Sequence, residues 1–178
     1  MFHCVQFRNF DVGDSNLYIT KKWWSEGSAE YFGNYVYPEV DKEYMHNGAW
    51  DANIADNDLF GMSYESYVFF QHLANTRGNE DIMRLLGAIP SGADSSRYQA
   101  ALNAHFGTQA EDYWHAFAQQ YLDRAIQDTN SKPIPLAPRD GQLVLVGANP
   151  LPASTSPYRF TWYRLRFPER FKYTNTVT

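Results

Sequence analysis

The chain has 178 residues, a formal net charge of -5 and a sequence pI near 5.5, which is the length of one domain, or of one domain with an appendage. At this length folding buries roughly 70% of the surface an unfolded chain exposes, so a core forms without disulfide staples, and the single cysteine, Cys4, could not supply them. The mildly acidic balance, without Lys/Arg clusters, argues against nucleic acid and anionic membrane surfaces as main partners, and 12 Phe, 13 Tyr and 5 Trp argue against a disordered chain.

Neither a charged start followed by an apolar run nor a span of about 20 apolar residues is present, so no signal peptide or membrane helix is visible. The chain instead opens on Met1-Phe2-His3-Cys4-Val5-Gln6-Phe7, which reads as the interior of a helix without a preceding cap. Residues 1–8 are expected to form the end of a buried helix, and a polar loop follows from Asn9 to Ser15. A second helix is expected from about Trp23 to Tyr37, stopped by Pro38. Between Lys42 and Gly61 no period is evident, and the stretch reads as an irregular connection of a length often tied to function.

From Ser63 the helical period returns. Tyr64, Tyr67, Val68, Phe70 and Leu73 fall on one face, and Gly78 closes the segment. Asn79 is placed to cap a short helix running through Leu86, and another helix is expected from about Ser96 to Phe106, ending at Gly107. Thr108-Gln109-Ala110-Glu111 has the form of a capping box for a helix that sets Tyr113, Trp114, Phe117, Tyr121 and Leu122 on one face. Beyond residue 127 the composition changes. Residues 128–141, with Pro133, Pro135 and Pro138, read as a linker, and 142–178 as a β-rich segment in which Leu143–Val146 and Tyr158–Phe167 are strand candidates. The expected fold class is mainly α: a helical body over 1–127, then a short β-strand appendage.

Two segments rise above generic globular sequence, the opening Phe2-His3-Cys4-Val5-Gln6 and Trp23-Trp24-Ser25-Glu26-Gly27-Ser28-Ala29-Glu30-Tyr31. A zinc peptidase needs three protein ligands, commonly two His and a carboxylate, with a fourth position open for the metal-activated water. The second segment resembles the third-ligand helix of gluzincin-type zinc metallopeptidases, the thermolysin and aminopeptidase clan, in which Trp-x-x-Glu-Gly-x-Ala-x-Tyr is frequent. That family places its second ligand His about twenty residues earlier, often followed by a small or apolar pair and Gln. His3-Cys4-Val5-Gln6 has this form and lies 23 residues before Glu26.

The resemblance implies that His3 is the second metal ligand and Glu26 the third. It further implies that Met1 and Phe2 stand at the variable positions of an H-E-x-x-H motif whose leading His and general-base Glu lie ahead of this chain. Glu30, a turn beyond Glu26, is implied as a supporting carboxylate, although the family often has Asp there. Tyr64, in a run similar to the helix after the ligands, is implied as the hydroxyl facing the oxyanion. The multi-helix region would then be the C-terminal part of a gluzincin-like catalytic domain. Its cofactor would be Zn2+ and its substrate a peptide or protein, and an extracytoplasmic bacterial setting would fit. Such a piece would be inactive alone, because the first His and the general base are absent.

Other readings of the same residues stand beside these. His3 alone on an apolar helix reads as a core histidine, Glu26 and Glu30 as an acidic stripe, and Tyr64 as a plain aromatic. Cys4 reads as a small core residue, and His46, His72, His105 and His115 as structural or solvent-facing. The rival function is a non-catalytic peptide- or glycan-binding or structural module that retains the helical scaffold. No phosphate-loop, dinucleotide or nucleophile-elbow motif is present.

Overall fold

A computed structural model describes residues 2–9, 23–90, 94–137, 142–145 and 157–166. Among these the chain is mainly helical, with α1 (Phe2–Asn9), α2 (Trp23–Val36), α3 (Asn47–Asn53), α4 (Tyr67–Arg77), α5 (Asn79–Ala88), α6 (Ser95–Phe106) and α7 (Ala110–Leu122). Short 3-10 turns cover Lys42–His46, Leu59–Gly61, Tyr64–Ser66 and Gly107–Gln109. No helix of the described residues is long and apolar enough to cross a membrane.

The core is aromatic. Trp23, at the start of α2, is fully enclosed, with Phe60, Phe69, Phe70 and Tyr98 around it at ring-centroid distances of 5.7–5.9 Å. All four of these rings come from beyond α2, two of them from α4 and one from α6, so one tryptophan joins α2, α4 and α6. Truncating a side chain of this size in a closed core costs about 3–5 kcal/mol. A second aromatic layer joins Trp50 of α3 to Phe117 and Tyr121 of α7. Tyr158 and Phe160 also enter it. The Leu59 amide donates to the Tyr158 carbonyl and the Phe160 amide to the Ile54 carbonyl, which fixes this strand-like segment against the helices.

Residues 126–137 run across the same body. Ile126, Ile134 and Leu136 are buried, and the Ala137 amide donates to Asp51 Oδ2 at 2.7 Å. Gln142–Leu145 (β1) pairs in parallel with Tyr163–Arg166 (β2), Gln142 opposite Tyr163. The rest of the expected β segment, like the loop expected over 9–15, falls largely outside the described residues.

Several local expectations are corrected. The stretch from Lys42 to Gly61 is not irregular throughout: it contains α3, anchored by Trp50, which is wholly buried. Cys4 is exposed rather than in the core, because Gln6 and Phe2 are the α1 residues that turn toward α2 and Cys4 faces away. The capping box does not form. The chain passes from α6 through Gly107 (φ 61°) and a 3-10 turn straight into α7, so Gln109 holds the cap position and Thr108 does not. Gly78 (φ 83°), not Asn79, precedes α5, and Asn79 accepts a hydrogen bond from the Tyr31 hydroxyl instead. Leu122 is exposed, whereas Tyr113, Phe117 and Tyr121 are buried as expected.

His72 of α4 is wholly buried, stacked on Phe117 at 4.7 Å, with Nδ1 2.9 Å from the Tyr113 hydroxyl. Burial pushes its pKa down from 6.5 to about 4, since the apolar surroundings disfavour imidazolium. As pH falls through 6.5 the unfolded chain takes up a proton that the folded chain refuses until about pH 4, so stability drops across that window and levels off below it. The loss is on the order of 3 kcal/mol. Urea unfolding of the parent and of His72→Gln at pH 7.5 and 4.5 isolates this term. The parent is expected to lose more stability than the variant on acidification, and an equal loss in both would contradict the assignment.

Candidate functional site

The site is assembled from α1, α2 and the turn before α4. On α1, Gln6 is 1% exposed and its amide nitrogen donates to the Ser25 carbonyl at 2.9 Å and to Ser28 Oγ at 2.8 Å. A carbonyl can only accept, so this pair of bonds fixes which end of the Gln6 amide is nitrogen. Its oxygen then faces His3 Nδ1 at 2.7 Å, so Nδ1 carries a proton and Nε2 is the ring nitrogen turned toward Glu26.

His3 Nε2 stands 3.4 Å from Glu26 Oε2. That separation is longer than the roughly 2.7–2.9 Å of a charge-assisted hydrogen bond. It matches two ligand atoms on one tetrahedral zinc, which sit about 3.3 Å apart when each bond is about 2.0–2.1 Å. The Glu26 side chain is 18% exposed and its Oε2, itself buried, accepts no hydrogen bond. An imidazole nitrogen and a carboxylate oxygen that converge in this way are a donor set of the type that binds zinc.

Gly27 explains how Tyr64 reaches this pair. A Cβ built on Gly27 would stand 2.1 Å from Ser66 Oγ, 2.9 Å from the Ser66 carbonyl carbon and 3.0 Å from the Tyr67 nitrogen. Only glycine therefore lets the backbone of 63–67 lie directly on α2. Ser66 secures the contact by donating its hydroxyl to the Trp23 carbonyl at 2.5 Å. The result sets Tyr64 beside Glu26. The charge of Glu26 is the main cause that raises the Tyr64 phenol pKa, followed by burial, a hydrogen bond to Glu26 and the charge of Glu30. The Tyr64 ring stacks on His46 at 5.2 Å.

The structure thus brings together His3, Glu26 and Tyr64. Glu30 lies one turn along α2, half-buried, and acts by charge on both Tyr64 and Glu43. The acceptor that orients His3 Nδ1 is Gln6, a role the sequence motif contains but does not announce. Its signal is His and Gln three apart on one helix, a spacing that lets the two side chains meet. Of the remaining histidines, His105 lies 2.9 Å from Asp81 Oδ2 and His115 is exposed.

A second polar group lies farther along α2. Glu26, Glu30 and Asn34 follow at four-residue intervals on one face, and Asn34 donates to Asp128 Oδ1 and to Thr129 Oγ1. Asp128 also accepts from the Tyr44 hydroxyl at 2.8 Å. Beside it stand Asp41 and the buried Glu43. Burial, with the charges of Asp128, Asp41 and Glu30 adding to it, pushes the Glu43 carboxyl up to about 7. Sequence reading singled out none of these three acids.

Two glycines of α2 test the close approach. Gly27→Ala is expected to cost roughly 1–3 kcal/mol or more, because the obstructing atoms are largely backbone. Gly33, with open space where its Cβ would be, is expected to gain about 0.5–1 kcal/mol on replacement by Ala. Urea midpoints moving in opposite directions would support the packing, and two shifts of the same sign would refute it. No protein-family model matches the chain, and neither a curated protein nor a solved structure matches it significantly.

Proposed function

We propose that this chain carries two metal ligands of a zinc peptidase centre, His3 and Glu26, and belongs to the C-terminal part of a gluzincin-like catalytic domain acting on peptides or proteins. The observation that carries the reading is the 3.4 Å approach of His3 Nε2 to Glu26 Oε2, with the imidazole held through Nδ1 by Gln6. The residues fit the metal in type and spacing. When bound, zinc supplies a water acidic enough to serve as nucleophile near neutral pH.

Each residue has a distinct task in this reading. Gln6 holds the His3 ring in direction through Nδ1, and such hydrogen bonding of the far ring nitrogen strengthens a ligand. Glu26 contributes an oxygen that no hydrogen bond engages. Tyr64 keeps its phenolic proton, since the nearby carboxylates disfavour a phenolate, and it can donate that proton in a hydrogen bond to a carbonyl oxygen gaining negative charge. A complete centre of this kind also needs a further His ligand and a general-base Glu beside these residues.

Adding His-Glu directly ahead of Met1, behind a capped helical leader, writes His-Glu-Met1-Phe2-His3 and completes the motif. Zinc affinity measured by competition with a chromophoric chelator is expected to rise at least ~100-fold over the parent, one further ligand contributing that much or more. Glu26→Gln in the extended chain is expected to remove the gain. The parent chain is expected to retain no stoichiometric zinc in metal-free buffer. No gain on extension, or stoichiometric zinc held by the parent, would overturn the proposal.

A further inference from the structure

The acids at the far end of α2 form a group that the zinc reading does not use. Asp41, Glu43 and Asp128 come from three places: the residue before the Lys42–His46 turn, the turn itself, and the loop after α7. One ligand oxygen from each lies within 4.8 Å of the others. Glu43 is 2% and Asp128 3% exposed. Two carboxylates removed from water this far need a counter-charge or a proton. Among the described residues none of the ion pairs reaches them: those pairs join His3 to Glu26, and Arg84 and His105 to Asp81.

Proximity of acids alone would not make a site. The independent observation is the state of their oxygens. Glu43 Oε1, inside a side chain that is almost wholly enclosed, has no hydrogen-bond partner, and neither does the buried Asp41 Oδ1. Asp41 occupies the cap position of the Lys42–His46 turn, yet its side chain makes no capping bond. An aspartate in that position usually satisfies a free backbone amide. Here it turns its oxygen toward the other two acids instead, from a left-handed backbone conformation (φ 50°) that Asp and Asn tolerate better than most residues.

The geometry points to a divalent cation site of the calcium type, formed by Asp41, Glu43 and Asp128, that ties the Lys42–His46 turn to the Asp128 loop. All-oxygen, carboxylate-rich donors favour a hard cation over zinc or copper. Three oxygens all within 4.8 Å of one another can share one cation, because ligands bound to calcium at about 2.3–2.6 Å lie no farther apart than roughly 4.6–5.2 Å. Magnesium, which keeps most of its waters, suits so enclosed a site less well. The cation replaces the missing counter-charge, and backbone carbonyls or waters complete its shell. The same turn carries His46, the ring on which Tyr64 stacks.

The test uses the full chain freed of metal. Thermal unfolding followed with added calcium is expected to shift upward by roughly 5–10 °C at a concentration about 100 times the dissociation constant. Terbium, an ion of similar size and donor preference, is expected to give luminescence sensitised through Tyr44, and calcium to quench it by displacement. Asp41→Asn, which keeps the left-handed backbone and an uncharged side chain of the same shape, is expected to weaken calcium at least tenfold while leaving the metal-free melting temperature unchanged or higher. Glu43→Gln is expected to abolish the response. His3→Ala is expected to leave it intact, which separates this site from the zinc reading. Absence of both the calcium shift and the terbium signal would overturn the inference, and so would an undiminished response in Asp41→Asn and Glu43→Gln. The acids would then be held by a proton on Glu43 rather than by a cation.

Discussion

Gly27 has no side chain, and the placement of nearly everything around the site follows from that. With any larger residue there, the backbone at Ser66 and Tyr67 would have to withdraw from α2. The hydroxyl bond from Ser66 to the Trp23 carbonyl would lengthen, and α4, which begins at Tyr67, would move away with it. Trp23 depends on α4 for two of the rings that enclose it, so a local contact between two backbones is coupled to the central aromatic cluster. The same contact puts Tyr64 beside Glu26. Stability and site geometry are therefore parts of one packing decision, made at a residue whose chemistry is otherwise silent.

Polar chemistry is arranged along α2 in sequence. Its buried side presents Trp23, Gly27 and Tyr31 to α4 and the turn before it, while Glu26, Glu30 and Asn34 follow one another along another face. Each polar residue meets a different partner: His3 and Tyr64 at Glu26, and Asp128 at Asn34. Glu30, between them, acts by charge on both ends. Negative charge consequently accumulates on one side of a helix in a protein whose net charge is already -5. Cations at either end would relieve that repulsion, and for the Glu43 group no protein cation among the described residues does so.

The helices were legible where local and tertiary demands agree. α2 ends near Pro38, α4 ends at Gly78 and α6 at Gly107, and at both glycines a positive φ makes glycine the natural choice. Periodicity also marked Tyr113, Phe117 and Tyr121 as core. The sequence misled where a long-range partner outbid a local one. Asn79 gives its side chain to Tyr31 rather than to a helix cap, and Thr108 is displaced from a cap by the 3-10 turn that joins α6 to α7. α3 escaped notice because Trp50 is its one large apolar anchor, and a single anchor leaves no period to detect.

The candidate site was partly legible for a similar reason. Glu26 and His3 stand in a recognisable pattern, and Tyr64 in a looser one. Gln6 is visible in that pattern only as a letter, since its role depends on where Ser25 and Ser28 lie in space. Asp41, Glu43 and Asp128 could not be associated from sequence at all, because 85 residues separate the last two and only folding joins them.

The proposed zinc centre depends most directly on the state of the His3 ring. Long-range 1H–15N correlation spectra of the full chain read the proton position on each imidazole nitrogen, and the titration is repeated with zinc. Neutral His3 with its proton on Nδ1, and an Nε2 resonance that moves on adding zinc while that of His72 does not, is the predicted result. A His3 ring protonated on Nε2, or one indifferent to zinc, would contradict it.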